Sequence, residues 1–263
     1  MTVLCAIWGT QQVAIKLAAP SMAPMLQVGL RSATAAAVVL VIILLRREHR
    51  ALGGGIWRPG LAVGALFALE FMLFAQGLVF TSASHMSIFL YTAPVFAALG
   101  LHLFVAEERL TASQWLGIAV AFAGIVVTFS GRGGGGHDRA WTGDLMGIAA
   151  GAAWGATTLV VRTIRLGSTP ATVTLWYQLA GAGLLATGVA IASGKTTVHP
   201  SATLVASLGY QTLVISVASY LAWFALLRSY LASRLGVLSL LTPPFGCSSC
   251  MTGSPGRSCS ARW

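Results

Sequence analysis

Nine apolar segments, most of them about the length of one bilayer crossing, follow one another along this chain. They run about 1–19, 25–45, 60–80, 85–105, 112–130, 143–164, 171–192, 203–227 and 232–246, the last being short for a full crossing. A helix rises about 1.5 Å per residue and the hydrocarbon core is about 30 Å thick, so roughly 20 apolar residues make one span. Strands of a membrane barrel would be about 10 residues long and would alternate strictly, which these segments do not. The expectation is an all-α polytopic membrane protein. Composition agrees: 8% of the residues are charged, against about 25% in a soluble domain.

The polar breaks carry the topology signal. Arg46-Arg47-Glu48-His49-Arg50 follows the second segment and Glu107-Glu108-Arg109 the fourth. The connections after segments two, four, six and eight hold nine Lys and Arg residues, and those after one, three, five and seven hold four. Basic residues accumulate on the cytoplasmic side, so the first set and the N-terminus are expected there. The net charge of +10 does not indicate nucleic acid, because the basic residues lie between apolar spans rather than on one stripe. The chain opens without a basic region before its first apolar run, so no cleavable signal is expected. That run is short on its N-terminal side, which predicts a late start.

Gly131-Arg132-Gly133-Gly134-Gly135-Gly136-His137-Asp138 lacks the Gly-Lys-Ser/Thr of a phosphate loop. It reads as a flexible linker, and the sequence on its two sides is similar. Ile7-Trp8-Gly9-Thr10-Gln11-Gln12-Val13-Ala14-Ile15-Lys16 aligns with Ala153-Trp154-Gly155-Ala156-Thr157-Thr158-Leu159-Val160-Val161-Arg162. Each has Trp-Gly, a polar pair and a basic residue eight positions after the Trp. Ala83-Ser84-His85 likewise matches Ala232-Ser233-Arg234, and Tyr91-Thr92-Ala93-Pro94 matches Leu240-Leu241-Thr242-Pro243. The organisation is thus a first repeat at 1–130, a linker at 131–142, an incomplete second repeat at 143–246 and an aberrant tail at 247–263. Five spans in the first half put the start of the second on the opposite face. The repeats are therefore inverted, a layout of many secondary transporters.

With these motifs in order, the chain resembles the EamA-type members of the drug/metabolite transporter superfamily, over about residues 1–245. The carrying features are the paired Trp-Gly helices, the Pro in the fourth helix and the Glu107-Glu108-Arg109 cluster after it. The resemblance implies ten helices, a central cavity between the halves, and export of amino acids or related metabolites across a bacterial inner membrane. Carriers of nucleotide sugars, lipids or drugs on the same fold, and an inactive truncated product, are the alternatives. The implied partners are the lipid bilayer, a small-molecule substrate with amino acids first among candidates, and protons as coupling ion. No cofactor is implied.

Polar residues inside spans need a partner, water or a function. Trp8, Gln12 and Lys16 share one helical face, as do Trp154, Thr158 and Arg162. The Trp rings could stack on an apolar or aromatic solute, with Gln11 or Gln12 bonding its polar groups. The competing reading is that the two Trp residues only pack between helices. Arg31 and Glu70 lie inside the second and third segments, as a structural ion pair or as groups that meet substrate or a coupling proton. Glu70 reads as the only acid well inside a span. Tyr91 joins the candidates, and Pro94 and Pro243 are expected to kink their helices as hinges. His85 is expected at an interface. Trp176, Tyr177 and Gln178 are consecutive, so at most one or two face a cavity, and Trp176 is taken as the candidate. Tyr220 and Trp223 share a face, with packing as the expected role.

Other classes fit less well. The only aspartates, Asp138 and Asp144, sit near the linker, which excludes a di-aspartyl protease; no His-Glu-x-x-His motif occurs. No Gly-x-Ser-x-Gly elbow supports a serine hydrolase, and a channel would need a filter or charge ring. Cys247, Cys250 and Cys259 offer three thiols where structural zinc takes four ligands. The tail has another explanation. Every Cys codon and most Ser codons begin with T, and codons with T in the middle encode only Phe, Leu, Ile, Met and Val. An apolar helix read one base out of frame therefore looks like Cys247-Ser248-Ser249-Cys250. A frameshift near Gly246 is the expectation, leaving the ninth helix half-built and the tenth missing.

Overall fold

A computed structural model describes residues 2–53, 55–105, 110–130, 140–163 and 169–229. The helices are α1 (Thr2–Ala18), α2 (Pro24–Leu45), α3 (Trp57–Phe80), α4 (Ala83–Leu90), α5 (Ala93–Phe104), α6 (Ala112–Ser130), α7 (Ala140–Thr163), α8 (Ala171–Ala192), α9 (Ala202–Gly209) and α10 (Tyr220–Ser229). A 3-10 turn at Glu48–Leu52 follows α2, and a π-helical stretch, Tyr210–Ser219, joins α9 to α10. Among the described residues, six segments are long and apolar enough to cross a membrane: Pro24–Leu45, Trp57–Phe80, His85–Phe104, Ala140–Thr163, Ala171–Ala192 and Ala202–Leu226. The fold is all-α and polytopic. Most of the Gly-rich linker, Glu107-Glu108-Arg109, the ninth apolar segment with Pro243, and the tail lie outside the described residues. Helix α7 takes in the last three positions assigned to the linker.

Local chemistry sets the boundaries. Pro24 starts α2, where its missing N–H is no loss. The helix stops at Arg46, and Arg47 turns the chain in the left-handed region at φ 56°. Ser82 caps α4 by accepting from the His85 backbone N–H at 3.1 Å, and Ser201 caps α9 by accepting from Leu204 at 3.1 Å. The fourth segment is broken rather than bent. Helix α4 ends at Leu90, Tyr91 and Thr92 form a turn, and Pro94 sits in the first turn of α5. Proline has no N–H for the ladder; the Thr92 hydroxyl donates to the Phe89 carbonyl at 2.7 Å in the gap.

Helix α8 wedges between α2 and α3, while α7 packs along α3, α4 and α5. Helix α1 packs on α9 and the π stretch. The repeat exchanges these contacts: α1 on the α9–α10 segment corresponds to α7 on α3. Small residues permit the approach, as is usual between helices in lipid. A Cβ on Gly181 would stand 2.6 Å from the Gly64 carbonyl oxygen, and one on Gly151 would stand 2.6 Å from the Thr92 hydroxyl and 2.9 Å from the Leu90 carbonyl. Outward faces carry Leu44, Leu45, Leu103, Phe104, Leu184 and Ile191, as lipid contact requires.

Polar ties join the elements at one end. Lys16, in the last turn of α1, donates to the Thr81 carbonyl at 3.1 Å. The Thr81 hydroxyl donates to Asp144 Oδ1 at 2.7 Å, and His85 Nδ1 lies 3.4 Å from Asp144 Oδ2. Asp144 is fully buried near the start of α7. The C-terminal end of α1 thus meets the N-terminal end of α7, and the two matched helices run in opposite directions. Two sequence expectations change. Glu70 is not the only buried acid, because α7 extends past Asp144 and packs it under Thr81. His85 remains part-exposed but pairs with that acid instead of only facing an interface. A second network links α1, α2, α9 and the π stretch: Gln27 donates to the Ile15 carbonyl at 3.2 Å and the Met22 carbonyl at 2.8 Å, and Gln211 donates to Gln27 at 3.1 Å and to Ser207 at 2.9 Å.

Gly151→Val should destabilise the protein by about 1–3 kcal/mol through overpacking at the α4–α5 break, read as a lower melting temperature of the purified protein. Asp144→Ala strands the buried Thr81 hydroxyl and should cost about 1–3 kcal/mol. Asp144→Asn keeps an acceptor and should lose less. An alanine variant melting with the wild type would contradict the tie.

Candidate substrate-binding cavity

A cavity of about 280 Å³ lies between α1, α3, α7, α8 and α10. Each helix contributes residues at helical spacing. Trp8 and Gln11 come from α1, and Phe67, Glu70 and Phe71 from α3. Helix α7 gives Trp154, Thr157, Thr158, Val161 and Arg162, one face of an α-helix. Helix α8 gives Ala171, Thr174 and Gln178, and α10 gives Tyr220, Trp223 and Phe224; Leu90, Tyr91 and Thr169 complete the described lining. The residues facing the cavity near the beginning of α8 and the end of α7 lie at the end opposite the Lys16–Thr81–Asp144 ties.

The aromatic rings form an edge-to-face network. Trp8 meets Trp154 at 6.2 Å between centroids and 85°, and Trp223 at 5.3 Å and 68°. Tyr91 meets Trp154 at 5.4 Å and 78°, and Phe67 meets Tyr220 at 5.8 Å and 84°. Edge-to-face pairs set the positive rim of one ring on the negative face of the next. The Trp8 indole also donates to the Ser219 hydroxyl at 2.9 Å, which fixes the ring.

The polar lining is less satisfied. Glu70 is 4% exposed and accepts no hydrogen bond from any described residue, and its Oε2 is fully enclosed. Gln11 and Gln178, each 5% exposed, likewise show no side-chain hydrogen bond among the described residues. Thr157 and Thr158 bond back to the Ala153 and Trp154 carbonyls at 2.9 and 3.2 Å. Arg31 is buried behind this wall with its guanidinium 4.6 Å from the Phe71 ring centre. Its Nε and one terminal nitrogen lack hydrogen-bond partners. Arg31, Glu70 and Tyr220 lie within electrostatic reach of one another, but no salt bridge within 4.0 Å joins Arg31 to Glu70 among the described residues. Of the two readings left open by the sequence, the close ion pair is not formed: Arg31 is turned onto Phe71 instead.

The structure gathers Trp8, Gln11, Glu70, Tyr91, Trp154 and Thr158 into one cavity. The Gln12 side chain and Pro243 lie outside the described residues. Trp176 is not in the lining: it packs edge-to-face on Tyr177 at 5.2 Å. Successive helix positions point about 100° apart, and Gln178, one turn after Thr174, takes the inward direction. Tyr220 and Trp223, expected to pack, line the cavity with Phe224.

Residues 1–130 match the EamA-like transporter family. The chain is 29% identical over 252 residues to proteins described as "Probable amino-acid metabolite efflux pump" in Escherichia coli (strain K12) and Salmonella typhimurium (strain LT2), covering 92% of this chain and 82% of each relative. It is 21% identical over 238 residues to the "Uncharacterized transporter YoaV" of Bacillus subtilis (strain 168), with 90% and 81% covered. A solved crystal structure superposes with a TM-score of 0.74 over 97% of this chain and 87% of that one, at 22% identity, showing a shared fold. The match places residues 1–130 with the EamA-like transporters, and the chain is a multi-pass inner-membrane transporter rather than an enzyme.

Proposed function

We propose that this protein exports amino acids or closely related metabolites by alternating access, with the cavity between Trp8 and Trp154 as the substrate site. One observation carries the reading. The two helices matched in the sequence repeat run in opposite directions and bring both Trp residues to the same cavity wall. A site on a pseudo-two-fold axis presents equivalent surfaces to either face as the halves exchange conformations. The lining suits a small solute with an apolar body and few polar groups: indole and phenol rings with bare amides at Gln11 and Gln178. The likeness to enterobacterial proteins described as probable amino-acid metabolite efflux pumps supports both substrate class and direction.

The polarity of the ends fits export. The Arg and Lys count assigns the α7–α8 connection to the cytoplasmic side, and the cavity reaches Arg162 and Thr169 at that end. The Lys16–Thr81–Asp144–His85 ties gather at the other. Glu70 is the only acid lining the cavity among the described residues, so a coupling proton carried in the cavity would bind there.

Counterflow of labelled amino acids into proteoliposomes tests the reading. Trp8→Ala and Trp154→Ala should each slow it about tenfold, since a lost aromatic contact of about 1 kcal/mol adds to the lost apolar area. Wild-type flux in both variants, with the folded protein present, would contradict it.

A further inference from the structure

We infer that Glu70 is the receptor for a substrate's ammonium group, so that the cavity selects amines over neutral molecules of the same shape. This rests on the cavity being the substrate site and names the chemistry of one of its walls. Glu70 is 4% exposed and lines the cavity; its Oε2 is fully enclosed, and neither carboxylate oxygen accepts a hydrogen bond from any described residue. A buried carboxylate left without donors is costly, and the site retains it. The charge is offset from behind by Arg31, which lies within electrostatic reach yet stands over Phe71 and is absent from the cavity lining. Arg31 therefore moderates the charge from behind, and the second carboxylate oxygen, which is not enclosed, stays available to a donor arriving through the cavity.

The surrounding walls point to a cation. Trp8, Trp154 and Trp223 form a contiguous edge-to-face set in the same lining. Aromatic faces attract ammonium groups, Trp most strongly. A carboxylate with three indoles matches an N–H donor that is positively charged and attached to an apolar body. Gln11 and Gln178, with bare amides on α1 and α8, can take further donors or acceptors on that body.

Isothermal titration of the full chain in nanodiscs, with the heats of empty nanodiscs subtracted, tests this. The probes are phenethylamine, its isostere 2-phenylethanol, and L-phenylalanine. The wild type should bind phenethylamine at least tenfold more tightly than 2-phenylethanol. Glu70→Asp should keep the preference. Glu70→Gln alone leaves Arg31 uncompensated, so the charge-balanced Arg31→Met/Glu70→Gln variant is the informative one; it should bind the two isosteres within about threefold of each other. Equal binding by the wild type, or an undiminished preference in the double variant, overturns the inference while the cavity still stands as a binding site. If none of the three probes binds the wild type, the cavity reading falls and this inference with it.

Discussion

Hydrocarbon offers no hydrogen bonds, so each polar group inside it must find a partner in the protein, a water-filled space or a solute. The helices satisfy the backbone, and the side chains are then sorted. Thr81, Asp144, His85 and Lys16 satisfy one another at one end of the molecule. Gln27, Gln211 and Ser207 bond one another between α2, α9 and the π stretch. Glu70, Gln11 and Gln178 lack such partners among the described residues and open on the cavity, while Arg31, Ser87, Ser216 and the Gln211 side-chain oxygen hold unpartnered atoms elsewhere. The proposed solute site rests on three such groups converging on one cavity.

Closing that arrangement requires backbones to approach. Gly64 and Gly181 let α8 reach α3, and Gly151 receives the Tyr91–Thr92 break. The break turns Tyr91 toward Trp154, which ties the glycine packing of α7 to the aromatic wall. Trp8 and Trp154, equivalent in the repeat, then meet near the middle of two oppositely directed helices. The same residues serve as helix packing and as cavity lining, so the two roles weighed from the sequence are not exclusive.

The spans were legible because apolar length alone specifies them: segments 25–45, 112–130 and 171–192 end within a residue of α2, α6 and α8. The repeat made Trp8 and Trp154 legible as a pair before any geometry. Rotational phase was not. Helix α8 is apolar on nearly all sides, so no amphipathic stripe indicates that Gln178 rather than Trp176 points inward. Tyr220 and Trp223 follow a π stretch, whose wider turn changes the facing of what comes after it, and periodicity at the ordinary pitch cannot carry phase across it. Asp144, near the linker, is not legible as a buried acid because its partner, Thr81, is remote in sequence and only the packing of α7 on α3 joins them.

Two ends of unlike chemistry, joined by an aromatic middle shared by both repeats, are the arrangement on which the proposed alternating access rests. The most direct test replaces Thr158 by cysteine in a chain whose native cysteines are changed to serine, and labels it with a membrane-impermeant maleimide in vesicles of either orientation. Labelling from both faces, slowed from both by a transported amino acid, is the predicted result. Labelling from one face alone under every condition, or labelling indifferent to substrate, would contradict alternating access through this cavity.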